Sequence, residues 1–203
     1  MNRIIVLLAF VIAHGNHAFG EEKKPGSSQA SPAMTQEMIG NMAKFSGPNE
    51  NHKRLDPFIG RWNAVVLWWM APTSKPEEMR GIHENRWIMG GRFMQQRTKG
   101  GTKDQPFEGL GFTGYDTLKG TYVSLWLDNM GTGIMTATGE FDAATQTFNE
   151  KGTMGDPMTG EKEKPFRSEW KVADKNHFTY TMYTAVADGS EFKAMEIQYT
   201  RAR

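Results

Sequence analysis

The run Phe58-Ile59-Gly60-Arg61-Trp62-Asn63-Ala64-Val65-Val66-Leu67-Trp68-Trp69-Met70 constrains the fold more than any other stretch of the chain. It follows Pro57 and a permissive Gly60, then holds about ten residues rich in β-branched and aromatic side chains, which is what a pleated, half-buried strand selects. At period two, Trp62, Ala64, Val66, Trp68 and Met70 share one face and Arg61, Asn63, Val65, Leu67 and Trp69 the other. The first set is apolar throughout and the second begins polar, so Trp62 is expected inside.

A chain of 203 residues with 12 Phe, 6 Trp and 5 Tyr can bury a core by area alone. It has no cysteine, which excludes disulfides, thiolate nucleophiles and zinc–thiolate or iron–sulfur sites. At the N-terminus Arg3 precedes an apolar run from Ile4 to Ala13, and Ala18-Phe19-Gly20 is a small-x-small site before Glu21-Glu22-Lys23-Lys24. That order predicts a secretory signal over 1–20, with cleavage after Gly20 and a secreted or periplasmic protein; the apolar run is too short to span a bilayer. Cleavage removes Arg3 and no acid, so Lys+Arg falls from 24 to 23 against 23 Asp+Glu. A neutral chain lacks the basic excess of a nucleic-acid or membrane-surface binder.

Residues 21–33 read as a disordered linker, with two prolines and no large apolar side chain. Met34, Met38, Met42 and Phe45 recur at helical spacing, so 34–56 is expected to be a short helical segment that covers a barrel mouth or the outer face Val65, Leu67 and Trp69. A second helical turn is expected from Pro48 to Leu55, with Leu55 and Phe58 pointing to the core. From 57 to 203 the pattern is all-β: strands at about 61–70, 80–89, 92–99, 107–115, 121–128, 134–141, 147–154, 163–172, 178–185 and 192–200. Gly90-Gly91 and Asp188-Gly189 are hairpin signals. An internal echo supports the reading, since Tyr115-Asp116 and Phe141-Asp142 each end a strand with an Asp able to cap the following turn. About ten short antiparallel strands argue for an up-and-down barrel whose closure removes exposed edges, with the last strand pairing to the first; a sandwich is the alternative.

Gly109-Leu110-Gly111-Phe112-Thr113-Gly114 matches a dinucleotide pattern, but a hairpin rather than a helix follows it, so the glycines are read as bending a strand. After cleavage only His52, His83 and His177 remain, too scattered for a metal site, and no serine sits in a nucleophile elbow. Trp126 and Asp128 share a face, so an inward Trp126 implies an inward carboxylate, which costs several kcal/mol unless paired. Glu196 raises the same question in the last strand. Period two leaves open whether Glu196 and Gln198 or Met195, Ile197 and Tyr199 face in.

His52-x-x-Leu55 before Pro57-Phe58-Ile59-Gly60-Arg61-Trp62, Arg86-Trp87-Ile88-Met89-Gly90-Gly91-Arg92-Phe93, Phe107-Glu108-Gly109, Gly114-Tyr115-Asp116, Trp126-Leu127-Asp128-x-Met130-Gly131-Thr132-Gly133 and Met195-Glu196-Ile197-x-Tyr199-Thr200-Arg201 together resemble the bacterial domain of unknown function 1579 family, over about residues 50–202. The resemblance implies a lipocalin-like or calycin-like barrel and no established activity. A looser likeness is to nitrobindin-type haem barrels, whose axial histidine lies near the C-terminus; Phe192 to Tyr199 here holds no histidine, which argues against haem and leaves no cofactor expected. The leading expectation is therefore an exported, non-enzymatic binder of a small, largely apolar ligand. Trp62, Trp68, Trp87 and Trp126 would line its cavity and His83, Asn85, Asp128 and Glu196 would orient the ligand. An enzyme using Asp128 or Glu196 as general base, and an interaction domain with a filled core, are the alternatives.

Overall fold

The computed structural model describes residues 34–186 and 189–203, so the expected signal and linker over 1–33, and Asp188 of the last hairpin, lie outside the described residues. Ten strands follow two short helices, α1 (Gln36–Ser46) and α2 (Glu50–Lys53), and a 3-10 turn at Asp56–Phe58. The strands are β1 (Gly60–Trp68), β2 (Glu77–Ile88), β3 (Phe93–Gly101), β4 (Pro106–Asp116), β5 (Thr121–Asp128), β6 (Met135–Asp142), β7 (Thr147–Asp156), β8 (Glu161–Asp174), β9 (His177–Ala185) and β10 (Glu191–Arg201). Each pairs antiparallel with its chain neighbours, and β10 pairs with β1 to close the barrel. The seam runs from Trp62 opposite Arg201 to Trp68 opposite Met195. Closure excludes the sandwich and leaves no free sheet edge.

Period-two reading of β1 holds: Trp62, Ala64 and Val66 are buried on the inner face. Arg201 secures the seam at the plugged end, opposite Trp62 and on the same side of the sheet as Tyr199. It donates from Nη1 to the Ile59 carbonyl (3.1 Å) and from Nε to the Lys175 carbonyl (2.8 Å), and its guanidinium lies 4.0 Å over the Trp62 ring. Gly60 adopts φ +131°, a backbone conformation that side-chain-bearing residues rarely adopt, and a Cβ there would also stand 2.5 Å from Arg201 Nη1 and push the guanidinium aside.

One end of the barrel is plugged by the segment before β1. The Asn49 side chain accepts the Asn51 amide at α2's N-terminus, and His52 Nδ1 accepts the Asn49 amide (3.1 Å), a reciprocal cap. This fixes where α2 starts, and after it Leu55 and Phe58 turn inward, as expected, where both are almost fully buried. Phe58 meets Phe148 and Phe178 edge-on at 5.5 and 5.0 Å, and its carbonyl accepts both Trp62 Nε1 (2.8 Å) and Asn85 Nδ2 (2.9 Å). Trp87 ties the turn from the rim, donating from Nε1 to Asp56 Oδ1 at 2.9 Å.

Helix α1 differs from expectation. It forms at the expected methionine spacing but buries none of its residues, and Met34, Met38, Ile39 and Met42 are exposed, so it covers neither a mouth nor the outer face of β1. The apolar residues that seal the barrel come instead from Leu55 and Phe58. Lys193 Nζ lies over the Trp69 ring at 4.6 Å, covering part of the outer face assigned to the helix.

The aspartate echo is wider than the sequence suggested. Five consecutive strands, β4 to β8, end in Asp116, Asp128, Asp142, Asp156 and Asp174. In each case Oδ1 accepts the backbone amide two residues on, at 2.7–3.1 Å. Such Asx turns set hairpin geometry locally.

Trp62 touches the plug, the seam and the Phe178 ring together. Trp62→Ala is therefore expected to lose about 3–5 kcal/mol of unfolding free energy in urea titration. A loss below about 1 kcal/mol would contradict this packing.

Candidate functional site

Above the plug the inner face is not filled. A cavity of about 300 Å³ occupies the half of the barrel toward the ends of β1 and β5. Its walls are mainly apolar, with Val66, Ala137, Met182 and Ile197 among them, and Trp68, Trp126, Trp170 and Tyr180 supply aromatic surface. Methionines gather toward the mouth, Met79, Met130, Met135 and Met195, a soft lining that adapts to irregular shapes.

The glycine motif of β4 makes part of this room. Gly111 pairs with Trp126 across β4 and β5, and a Cβ at Gly109 or Gly111 would stand 2.2 or 2.8 Å from the indole. Trp126 lies against the strand where those side chains would be. The glycines thus serve as a bed for a cavity aromatic, and the strand–turn–strand that follows them gives no phosphate cradle. Trp126 Nε1 donates to Asp128 Oδ2 (2.9 Å) while Asp128 Oδ1 accepts the Met130 amide (3.0 Å). Asp128 therefore lines the cavity with both oxygens engaged.

A second carboxylate stands deeper. Glu150 of β7 is 7% exposed and lines the same cavity. Its Oε2 accepts Trp170 Nε1 (2.8 Å) and Ser168 Oγ (3.2 Å); Oε1 has no hydrogen bond among the described residues. Tyr180 also lines the cavity, and burial first, then the charge of Glu150, raises its phenol well above the ordinary value. Burial, with Tyr180 beside it, raises Tyr199 likewise, so both phenols remain protonated donors at neutral pH.

Residues 47–201 match the family described as "Protein of unknown function (DUF1579)". The chain belongs to this family. Among solved structures, the crystal structure of Rv2717c from M. tuberculosis aligns over 77% of this chain and 100% of that one, with a TM-score of 0.57 at 14% identity, a likeness of fold. A de novo designed fluorescence-activating β-barrel aligns over 72% of this chain and 95% of that one (TM-score 0.40, 16% identity). The redesigned barrel mFAP0 bound to DFHBI aligns over 71% and 99% (TM-score 0.37, 12% identity). Comparison with curated proteins gives no match.

In this DUF1579 chain the eight candidates named from sequence separate into three places. Trp68, Trp126 and Asp128 line the cavity. Trp68 Nε1 is buried there without a hydrogen-bond partner. Trp62, Trp87 and His83 face in but lie outside the lining: Trp62 is spent on the plug, Trp87 on its rim, and His83 sits behind Thr98, whose Oγ1 is 2.6 Å from His83 Nδ1. Asn85 belongs with the plug through its bond to Phe58. Glu196 is on the outer face, because Met195, Ile197 and Tyr199 turn inward; it pairs with Lys193 Nζ (2.5 Å) and accepts Gln198 Nε2 (2.9 Å). The Lys193 bond leads in holding its carboxyl below the usual range. It is thus removed from the candidate site, and with it the general-base role considered for it.

Glu150 is the residue that sequence reasoning misses. Its signal is present: in β7, Phe148, Glu150, Gly152 and Met154 share the inner parity. Three of those four are apolar or glycine, and such a face draws no attention to its one carboxylate. Among the described residues no group of three or more His, Asp or Glu is arranged to hold a metal ion.

His83 has a consequence for stability. Burial lowers its pKa from 6.5 to about 4, with the Asn85 side chain pulling weakly the other way. Its Nε2 and Asn85 Oδ1 are both buried, and neither makes a well-formed hydrogen bond. Between these two values the unfolded chain binds the proton and the folded chain does not, so stability falls as pH drops from about 6.5 to 4, by about 3 kcal/mol in full. Urea titrations at pH 7 and 4.5 should show most of that drop, about 2 kcal/mol, and His83→Gln should shrink it. An equal drop in the variant would refute the assignment.

Proposed function

We propose that this protein is an exported, non-enzymatic binder of a small, largely apolar ligand held in the barrel cavity. The carrying observation is the unfilled half of the barrel, about 300 Å³, walled by apolar and aromatic side chains with few polar groups among them. That is the usual make-up of a small-molecule pocket, at the small end of the size range. A filled-core interaction domain would lack such a space. A catalytic role for Asp128 is disfavoured by geometry, since the Trp126 indole and the Met130 amide already occupy its oxygens. Export rests on the charged, apolar and small-residue order of 1–20. Among the described residues no helix is long and apolar enough to cross a membrane. Haem held by an axial histidine does not belong to this reading, because none of the histidines among the described residues lines the cavity.

The neutral fluorophore N-phenyl-1-naphthylamine should brighten on binding, with a Kd on the order of micromolar. Ala137→Phe, which fills the cavity from β6, should weaken that binding at least tenfold, and haemin added to the same protein should give no bound Soret band. Unchanged dye binding in Ala137→Phe would sink the cavity reading. Secreted from its native host, the protein should begin at Glu21; a mature form beginning at Met1 would refute export by cleavage.

A further inference from the structure

Resting on the binding reading above, we propose that the ligand carries a cationic nitrogen, an alkylammonium on an apolar or aromatic body, and that Glu150 receives it. Two charged side chains line the cavity, Asp128 and Glu150, and both are acids; no Lys, Arg or His lines it among the described residues. Asp128 is engaged through both oxygens. Glu150 is engaged through one, and its two donors, the Ser168 hydroxyl and the Trp170 indole, are neutral.

The charged neighbours of Glu150 do not compensate it. Lys151 alternates to the exposed outer face of β7. Arg167, beside Ser168, is spent on Glu169 (2.8 Å) and Glu191 (2.7 Å), with its guanidinium 3.7 Å over the Tyr183 ring. A carboxylate withdrawn from water needs a counter-charge as well as hydrogen bonds, and this one has the hydrogen bonds alone. A cation arriving with the ligand supplies the missing half.

The surroundings are shaped to keep Glu150 available. Gly139 faces it across β6 and β7, and a Cβ there would stand 2.9 Å from Glu150 Cγ, so the absent side chain is what lets the carboxylate lean inward. Trp170 and Tyr180, in contact at 4.7 Å between ring centroids, line the same cavity as Glu150, and aromatic faces attract a desolvated ammonium. An anionic ligand would meet two carboxylates and no positive charge. A neutral apolar ligand would leave Glu150 unpaired.

The test uses three probes of one shape, each measured directly by calorimetry: tryptamine (cationic), tryptophol (neutral) and indole-3-propionate (anionic), with N-phenyl-1-naphthylamine reporting whether the wild-type cavity takes any apolar molecule. Tryptamine is expected to bind at least tenfold more tightly than tryptophol, and indole-3-propionate more weakly than either. Glu150→Gln should bring tryptamine and tryptophol to parity. Should that variant not fold, the wild-type ranking of the three probes decides alone. Dye binding with tryptamine no tighter than tryptophol would overturn the cation proposal and leave the cavity reading standing, as would a preference that survives Glu150→Gln. Failure of the dye and all three probes would overturn both.

Discussion

The backbone carbonyl of Phe58, held by the Trp62 indole and the Asn85 amide, is the contact on which the rest depends. A closed ten-strand barrel has two mouths, and its interior is wide enough that side chains alone need not fill it. These two bonds fix the 3-10 turn inside one mouth, so that Leu55 and Phe58 seal it and the aromatic cluster of Phe148, Phe178 and Trp62 packs upon them. The structure becomes a cup with one solid and one hollow half. Any ligand the barrel takes belongs to the hollow half.

Much of this architecture is legible from residues. No expected strand end lies more than three residues from the observed one, the widest gap being 80 against Glu77 in β2, because alternating burial and turn-forming Asp and Gly mark the strands plainly. Closure follows from the tendency of a long sheet to lose its edges. The site is less legible, and for a definite reason. Period two says which residues share a face, but it does not say at what height along the barrel axis they stand. Trp62 and Trp68 lie on one face of β1, yet one is buried in the seal and the other lines the cavity. Equating inward-facing with cavity-lining takes in Trp62, Trp87 and His83 and passes over Glu150. Helix α1 fails differently: an apolar stripe shows that a surface is available to be covered, not which surface covers it.

Glycines shape the interior as much as the large residues do. Gly109 and Gly111 lie beneath Trp126, Gly139 faces Glu150, and a Cβ at Gly152 would stand 2.8 Å from the Phe166 ring. In each case a strand without a side chain lets the neighbouring strand's side chain lean across it. A pattern that resembles a phosphate-binding loop in one dimension is, in a barrel, a way of laying an indole flat.

Helix α1 is tied by the Ser46 carbonyl to Arg92, in the β2–β3 turn, and the chain's final strand ends at Arg201 beside Ile59. Both attachment points sit around the sealed rim, with the methionine-lined opening at the far pole. Tethering the barrel to a bead or a fusion partner through its C-terminal end would therefore present its entrance outward.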